Sequence, residues 1–208
     1  MPYETELNSK GKPIMIGQPS SLILNQIDTI TSHDPKPEAT LVLAGINDLF
    51  AANPKNPDSV EKVYAKLTDN LNQISKNLNT AHIQAVFATL PNLTGYIKSI
   101  YRNGPDQAVM ENLLTRVNHF IQNEIKPKPQ KVVNLYTNEN LTKSIGNKLH
   151  PRTNQGYPAI AAAFQKALSE LSAPTSTKDD ADKSQAPSAE QSAAETSLSP
   201  AGDQPVEN

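Results

Sequence analysis

The residues whose types and spacing suit catalysis lie in two short segments. Gly45-Ile46-Asn47-Asp48 directly follows the apolar run 40–44. In open α/β sheets ligands bind just beyond the carboxyl ends of strands, and an Asn amide fixed there is a neutral donor suited to a developing oxyanion. Further along the chain, Asn147 is followed by His150-Pro151. Because the residue before a proline is biased toward extended backbone, His150 is predicted on a loop, where its imidazole can serve as a general base.

Each of these features also has an ordinary structural explanation. Asn and Asp frequently hydrogen-bond their own backbone in turns, and a single His is more often structural than catalytic. Gly17, between a predicted strand and a predicted helix, supplies either backbone freedom or an N–H aimed at an anion. Since no glycine-rich phosphate-binding pattern accompanies Gly17, we reject nucleotide binding there.

An alternation of strands and helices must position these segments. The apolar runs predict strands, and the apolar residues spaced by three or four predict helices. Such an alternation predicts an α/β fold of three layers, α/β/α, with a mostly parallel sheet. The predicted strands are 13–16, 40–44, 83–90 and 131–135. One predicted helix begins near Ser20, and a second begins at Asp58 with a capping box from Asp58 to Glu61. Two further helices are predicted over 107–125 and 158–171.

The last part of the chain has a different composition. Residues 173–208 contain no aromatic residue, and their only large aliphatic residues are Leu198 and Val206. They carry seven acidic residues and two lysines, a net charge of −5, whereas residues 1–172 have a net charge of +3. A segment that can bury so little apolar surface does not offset its ordering entropy. We therefore predict one domain over 1–172 and a disordered, acidic tail over 173–208.

Composition also excludes several classes of function. The chain has no Cys, which excludes disulfides and thiol catalysis. No apolar run approaches the roughly 20 residues of a membrane span, and no basic cluster indicates a nucleic-acid partner. The start of the chain lacks the apolar core of a signal peptide, but we leave the cellular location open because a preceding segment is inferred below. The oligomeric state also stays open.

Taken together, the two segments resemble the SGNH hydrolase superfamily, the GDSL esterases and lipases, over roughly residues 13–171. Gly45-Ile46-Asn47-Asp48 matches the family's third block, GxND. His150-Pro151 with Gly156-Tyr157 matches the fourth block and the helix after it. The resemblance implies the flavodoxin-like fold of that family. It also implies an oxyanion hole formed by the Gly17 N–H and the Asn47 amide, His150 as base, and neither metal nor organic cofactor.

Two departures from the family pattern concern the catalytic residues. The acid of the fourth block is Asn147 here, and it brings no charge to stabilise an imidazolium. No Gly-Asp-Ser nucleophile block is present, since only 16 residues precede Gly17, so we infer that the first block is absent from this chain. Ser20 and Ser21 are the nearest substitute nucleophiles, although serines in a first helical turn commonly cap N–H groups.

Three functions therefore remain open. The favoured one is an impaired carboxylic-ester hydrolase for a small ester or lipid substrate. In it Asn147 orients His150, while Gly45 and Asp48 support the loop. The second is an inactive SGNH-like domain that binds an acyl or glycan ligand or a partner. The third is an unrelated α/β domain with a chance GxND.

Overall fold

The computed structural model describes residues 19–102, 104–152 and 154–172. Over these residues the chain forms three strands and seven helices. The predicted strand 13–16, Gly17 and the predicted tail 173–208 lie outside the described residues. The strands are β1 (Ala39–Val42), β2 (Gln84–Ala88) and β3 (Lys131–Val133), and the helices are α1 (Ser20–Thr31), α2 (Ile46–Leu49), α3 (Pro57–Thr80), α4 (Thr94–Tyr101), α5 (Pro105–Asn123), α6 (Glu139–Ile145) and α7 (Gly156–Ser172).

The three strands form one parallel sheet in the order β1-β2-β3. Val42 is paired with Phe87 of β2, and Phe87 is paired with Val132 of β3. Parallel neighbours require crossover connections, which are usually helical, and here they run through α3 and through α4 and α5. The predicted α/β class with a mostly parallel sheet is confirmed. The segments that follow β1, β2 and β3 consequently leave the sheet from the same edge.

The core lies between the sheet and the helices that cover it. Helix α3 presents the predicted apolar stripe, in which Leu67, Leu71, Ile74 and Leu78 are buried. Burying each such side chain stabilises the fold by about 1.5–3 kcal/mol relative to leaving it exposed. Helices α1 and α5 pack alongside α3, and α7 packs on β2 and β3. This packing holds in place the strand ends from which the candidate site segments leave the sheet.

The start of α3 corrects one prediction. The helix begins at Pro57 rather than at Asp58, and Asn56 is its cap, with a side chain that accepts hydrogen bonds from the backbone N–H groups of Asp58 and Ser59. Proline suits the first helical position because its missing N–H would have no partner there. The predicted capping box from Asp58 to Glu61 is therefore wrong.

Three short helices occupy segments that the sequence pattern left as loops or did not assign. Helix α2 follows the end of β1, α4 lies between β2 and α5, and α6 lies between β3 and the His150 loop. Their apolar positions are too few to give a clear period, so tertiary packing decides these helices. Within the described residues, no helix combines the length and the apolar character needed to cross a membrane.

Strand β1 has an exposed side chain that is unusual for a parallel sheet. Within the described residues β1 is paired on one side only, with β2. Leu41, in the middle of this strand, is 44% exposed, whereas parallel strands are commonly covered on both faces. Among the described residues, the β1 side of the sheet is thus less covered than the β2–β3 side, where α7 packs.

Candidate functional site

A glycine in left-handed conformation turns the chain away from the end of β1. Gly45 has φ +114°, and a β-carbon there would lie 3.1 Å from a methyl of Leu67. A side chain is strained in that conformation, so both backbone and packing favour glycine. The turn leads into the single-turn helix α2. Asn47 in α2 is half-buried, whereas Asp48 next to it is buried.

Asp48 is the centre of a buried hydrogen-bond network. Its Oδ2 accepts from the backbone N–H of Ser20 at 2.7 Å, and its Oδ1 accepts from the Ser20 hydroxyl at 2.7 Å. The same hydroxyl accepts from the side-chain amide of Asn70 at 2.8 Å. Pro19 supplies no side-chain cap for α1, so Asp48 satisfies the N-terminal N–H of that helix from another part of the fold. A carboxylate at this end of a helix is also favoured by the helix dipole.

This network argues against Ser20 as a substitute nucleophile. Ser20 has no exposed surface, and its hydroxyl proton points to Asp48 rather than to solvent. A nucleophilic hydroxyl must instead face the substrate and donate to a base. The predicted capping role is also different from the one found, because the Ser20 side chain bonds Asp48 and not its own helix. Ser21, one residue further along α1, is half-buried.

The predicted base lies on a loop between α6 and α7. His150 and Asn147 are both exposed there, in residues 146–150. Ser144, buried at the end of α6, accepts a hydrogen bond from the backbone N–H of Arg152 at 2.8 Å. Near the start of the loop, the Lys148 N–H donates a hydrogen bond to the carbonyl of Ile145 at 3.0 Å. These anchors hold the chain on both sides of the exposed His150.

Gly156 is required where α7 begins. A β-carbon at Gly156 would collide with the ring of Pro151 and would lie 2.6 Å from the Ser144 hydroxyl oxygen. Its backbone N–H donates to the Arg152 carbonyl at 2.8 Å. The spacing between His150-Pro151 and Gly156-Tyr157 therefore has a structural reason in this chain: the proline packs directly on the start of the helix.

Helix α4 contacts both candidate segments. The Phe50 ring, at the end of α2, packs edge-to-face on Tyr96 with 5.1 Å between the ring centroids. On the same helix, Gly95 approaches the carbonyl of Gly146 so closely that a β-carbon would overlap it. The Ser99 hydroxyl also donates to the backbone carbonyl of Asn147, at 3.4 Å. The Asn47 segment and the His150 loop thus pack on one short helix that follows β2.

An open depression of about 340 Å³ lies along the edge of the sheet beyond β2 and β3. Thr89 organises this edge, because its buried hydroxyl accepts from the backbone N–H groups of Leu135 and Tyr136 at 2.9 and 3.0 Å. Within the described residues, no group of three or more His, Asp or Glu side chains is placed to hold a metal ion. The depression is lined by Asn92, Tyr136, Thr137, Glu139, Thr142 and Lys143.

Sequence reasoning missed two residues that support the candidate site. Asn70 is a polar side chain at an apolar position of α3, three residues after Leu67 and one before Leu71, and that mismatch was an available signal. Ser144 has no comparable signal, because its importance comes from Arg152, whose backbone N–H folds back onto it. Gly17, predicted to lie beside Asn47, is outside the described residues.

The chain is similar to a solved structure of known class. Comparisons with protein-family models and with curated protein sequences give no match. Among solved structures it is similar to a GDSL-like lipase from Bacteroides thetaiotaomicron VPI-5482, with 16% sequence identity over 74% of this chain and 73% of that chain and a TM-score of 0.49.

Proposed function

We propose that this chain is an SGNH-type carboxylic-ester hydrolase for a small-molecule ester or lipid substrate. The observation that carries the proposal is the placing of the half-buried Asn47 directly after β1, on a turn fixed by Gly45 and by the buried Asp48. The shared contact of this segment and the His150 loop with α4 supports it further. An amide fixed beyond the carboxyl end of a strand suits an oxyanion that forms at the edge of the sheet.

The proposed reaction is acyl transfer to a serine followed by hydrolysis. His150 takes the proton of the serine hydroxyl as the oxygen attacks the ester carbonyl, and it returns that proton to the departing alcohol. Water then attacks the acyl-enzyme with His150 again acting as base, which releases the carboxylic acid. Asn47, with the Gly17 N–H, stabilises the oxyanion in both steps. Of the two serines proposed as nucleophile, Ser20 belongs to the buried network and Ser21 does not.

Asn147 limits the expected rate. Its amide oxygen can accept the proton of the His150 ring, but it brings no negative charge and favours the wrong ring tautomer. In a serine-protease triad the same exchange of Asp for Asn lowers turnover by about 10⁴. We therefore expect weak hydrolysis by the chain as it stands, and a clear gain when Asn147 is replaced by Asp.

The test is hydrolysis of p-nitrophenyl acetate and butyrate by the full chain. We expect Asn47→Ala to lower kcat/KM by roughly 10²-fold or more, His150→Ala to lower it at least as much, and Asn147→Asp to raise it. Surface imidazoles hydrolyse such activated esters slowly, so His33→Ala is the matched control. His33 is exposed on the turn after α1, and its removal should leave the rate unchanged.

Two outcomes contradict the proposal. Equal rates in the wild type, Asn47→Ala and His150→Ala would remove both residues from the reaction. Robust turnover that survives the combined replacement of Ser20 and Ser21 by Ala would show that the nucleophile lies elsewhere.

A non-catalytic domain is the second candidate function. The exposed, uncharged Asn147 and the buried Ser20 favour it, because each departs from what an efficient triad needs. In that case the same edge of the sheet binds an acyl or glycan ligand without turning it over. Absent turnover in the wild type and in Asn147→Asp, together with saturable binding of butyrate, would favour this reading.

A further inference from the structure

Three side chains far apart in sequence form one buried polar network. Ser20 begins α1, Asp48 lies in α2, and Asn70 lies in the middle of α3. Ser20 has no exposed surface, Asn70 is 6% exposed and Asp48 is 8% exposed. Three hydrogen bonds of 2.7 to 2.8 Å join them. Buried networks whose members are all satisfied are rigid and specify one arrangement.

The donors and acceptors of this network can be assigned in only one way. The Asn70 amide donates to the Ser20 hydroxyl, and a carboxylate such as Asp48 only accepts. The Ser20 hydroxyl must therefore donate to Asp48, which fixes its rotor. Ser20 donates to both oxygens of the Asp48 carboxylate. The position of this carboxylate therefore depends on where α1 begins.

This arrangement links the start of α1 to the turn that carries Asn47. Asp48 is the residue after Asn47, and both belong to the single turn of α2. A carboxylate that holds both the Ser20 N–H and the Ser20 hydroxyl therefore ties the Asn47 turn to the start of α1.

We propose that Ser20, Asp48 and Asn70 are positioning residues that hold the Asn47 amide in place to stabilise an oxyanion. This inference rests on the function proposed above. None of the three touches the reacting atoms. Their effect on the reaction passes through the position of Asn47, which is why Ser20 is a support and not a nucleophile.

The experiment compares two buried serines that each donate one short hydrogen bond. Ser20→Ala removes the bond to Asp48, whereas Ser75→Ala, on α3, removes a 2.6 Å bond from a buried hydroxyl to the Pro127 carbonyl. The first readout is the side-chain amide resonance of Asn47 in ¹H–¹⁵N NMR spectra, assigned by its loss in Asn47→Ala. The second readout is kcat/KM on p-nitrophenyl acetate. The melting temperature is measured for every variant.

We expect Ser20→Ala and Ser75→Ala both to lower the melting temperature, but only Ser20→Ala to shift or broaden the Asn47 resonance. In an active chain the same variant should lower kcat/KM by roughly 10²-fold, the cost of a misplaced catalytic group, while Ser75→Ala leaves it unchanged. Asn70→Ala, which keeps the bonds between Ser20 and Asp48, provides a milder variant should Ser20→Ala fail to fold. We expect it to move the Asn47 resonance in the same direction.

The two proposals fail in different ways. An Asn47 resonance that stays in place in both Ser20→Ala and Asn70→Ala, or that moves equally in Ser75→Ala, overturns the positioning role. Wild-type protein without turnover, or with turnover that Asn47→Ala leaves intact, overturns the hydrolase instead, and the NMR comparison still decides whether the network positions Asn47.

Discussion

Neighbouring residues of the GxND segment have opposite environments and therefore different roles. Asp48 is buried and engaged through both oxygens by Ser20, whereas Asn47 beside it is only half-buried. A buried polar group that loses its hydrogen-bond partner destabilises the fold by about 1–3 kcal/mol. The contacts of Asp48 with Ser20 therefore contribute to stability. This asymmetry supports our assignment of Asp48 to the structure of the loop and of Asn47 to the chemistry.

The close approach at Gly156 gives a prediction for a single residue. We expect Gly156→Ala to destabilise the fold by about 1–3 kcal/mol, the usual cost of overpacking, because the new methyl collides with Pro151 and crowds Ser144. Urea unfolding followed by circular dichroism measures the loss. The control is Gly104→Ala, where the added β-carbon would meet only the Tyr101 carbonyl at 3.4 Å. Equal stability of the two variants would contradict the packing argument.

At the scale of elements, short helices bring the candidate segments together. Helix α4 is only eight residues long, yet it contacts Phe50 on one side and the loop at Gly146 and Asn147 on the other. A helix of this length has little stability of its own and depends on these contacts. The placing of His150 relative to Asn47 therefore depends on α4 and not on the strands alone.

The link between α3 and α5 gives a prediction about pH. Arg116 on α5 donates to both carboxylate oxygens of Glu61 on α3, at 2.6 and 2.8 Å, and also lies 4.2 Å from the ring centroid of Tyr64. The hydrogen bond from Arg116 lowers the pKa of Glu61 below its ordinary value of 4.5. A carboxylate whose pKa is lowered by folding stabilises the native state above its unfolded pKa, and this contribution is lost as pH falls through the folded value.

We therefore expect Glu61→Gln to lower the melting temperature slightly at pH 7, because the pair is at the surface. The difference from wild type should shrink as the pH falls below the ordinary pKa of the carboxyl group and through the lower folded value. Thermal unfolding at a series of pH values checks this. In an Arg116→Gln background, Glu61→Gln should make no such pH-dependent difference. A deficit that stays constant down to about pH 3 would show that the ion pair is not its cause.

At the scale of the whole molecule, the predicted domain boundary can be tested directly. Helix α7 ends at Ser172, and its buried Phe164 and Ala167 belong to the core. The following residues have the composition of a segment that cannot form a packed core. We expect a chain that ends at Ser176 to melt at the same temperature as the full chain, as measured by calorimetry. A loss of several degrees would show that the acidic segment contributes to the folded domain.

The sequence alone determined the α/β class and the main positions of the candidate site. The apolar runs and the stripe on α3 are periodic and long, so burial follows directly from their pattern. The positions of Gly45 and of the loop that carries His150 also follow from local signals, a glycine after a strand and a proline after a histidine.

Only the tertiary structure decided what these residues contact. The choice of Asn56 as the cap of α3, the formation of α4 and the burial of Ser20 against Asp48 and Asn70 depend on groups from elsewhere in the fold. A serine at a helix start has the same local sequence signal whether it caps its own helix, faces a substrate or donates to a distant carboxylate. The energy of a hydrogen bond depends on burial and on the partner. Neither can be predicted from the residues next to the serine in sequence.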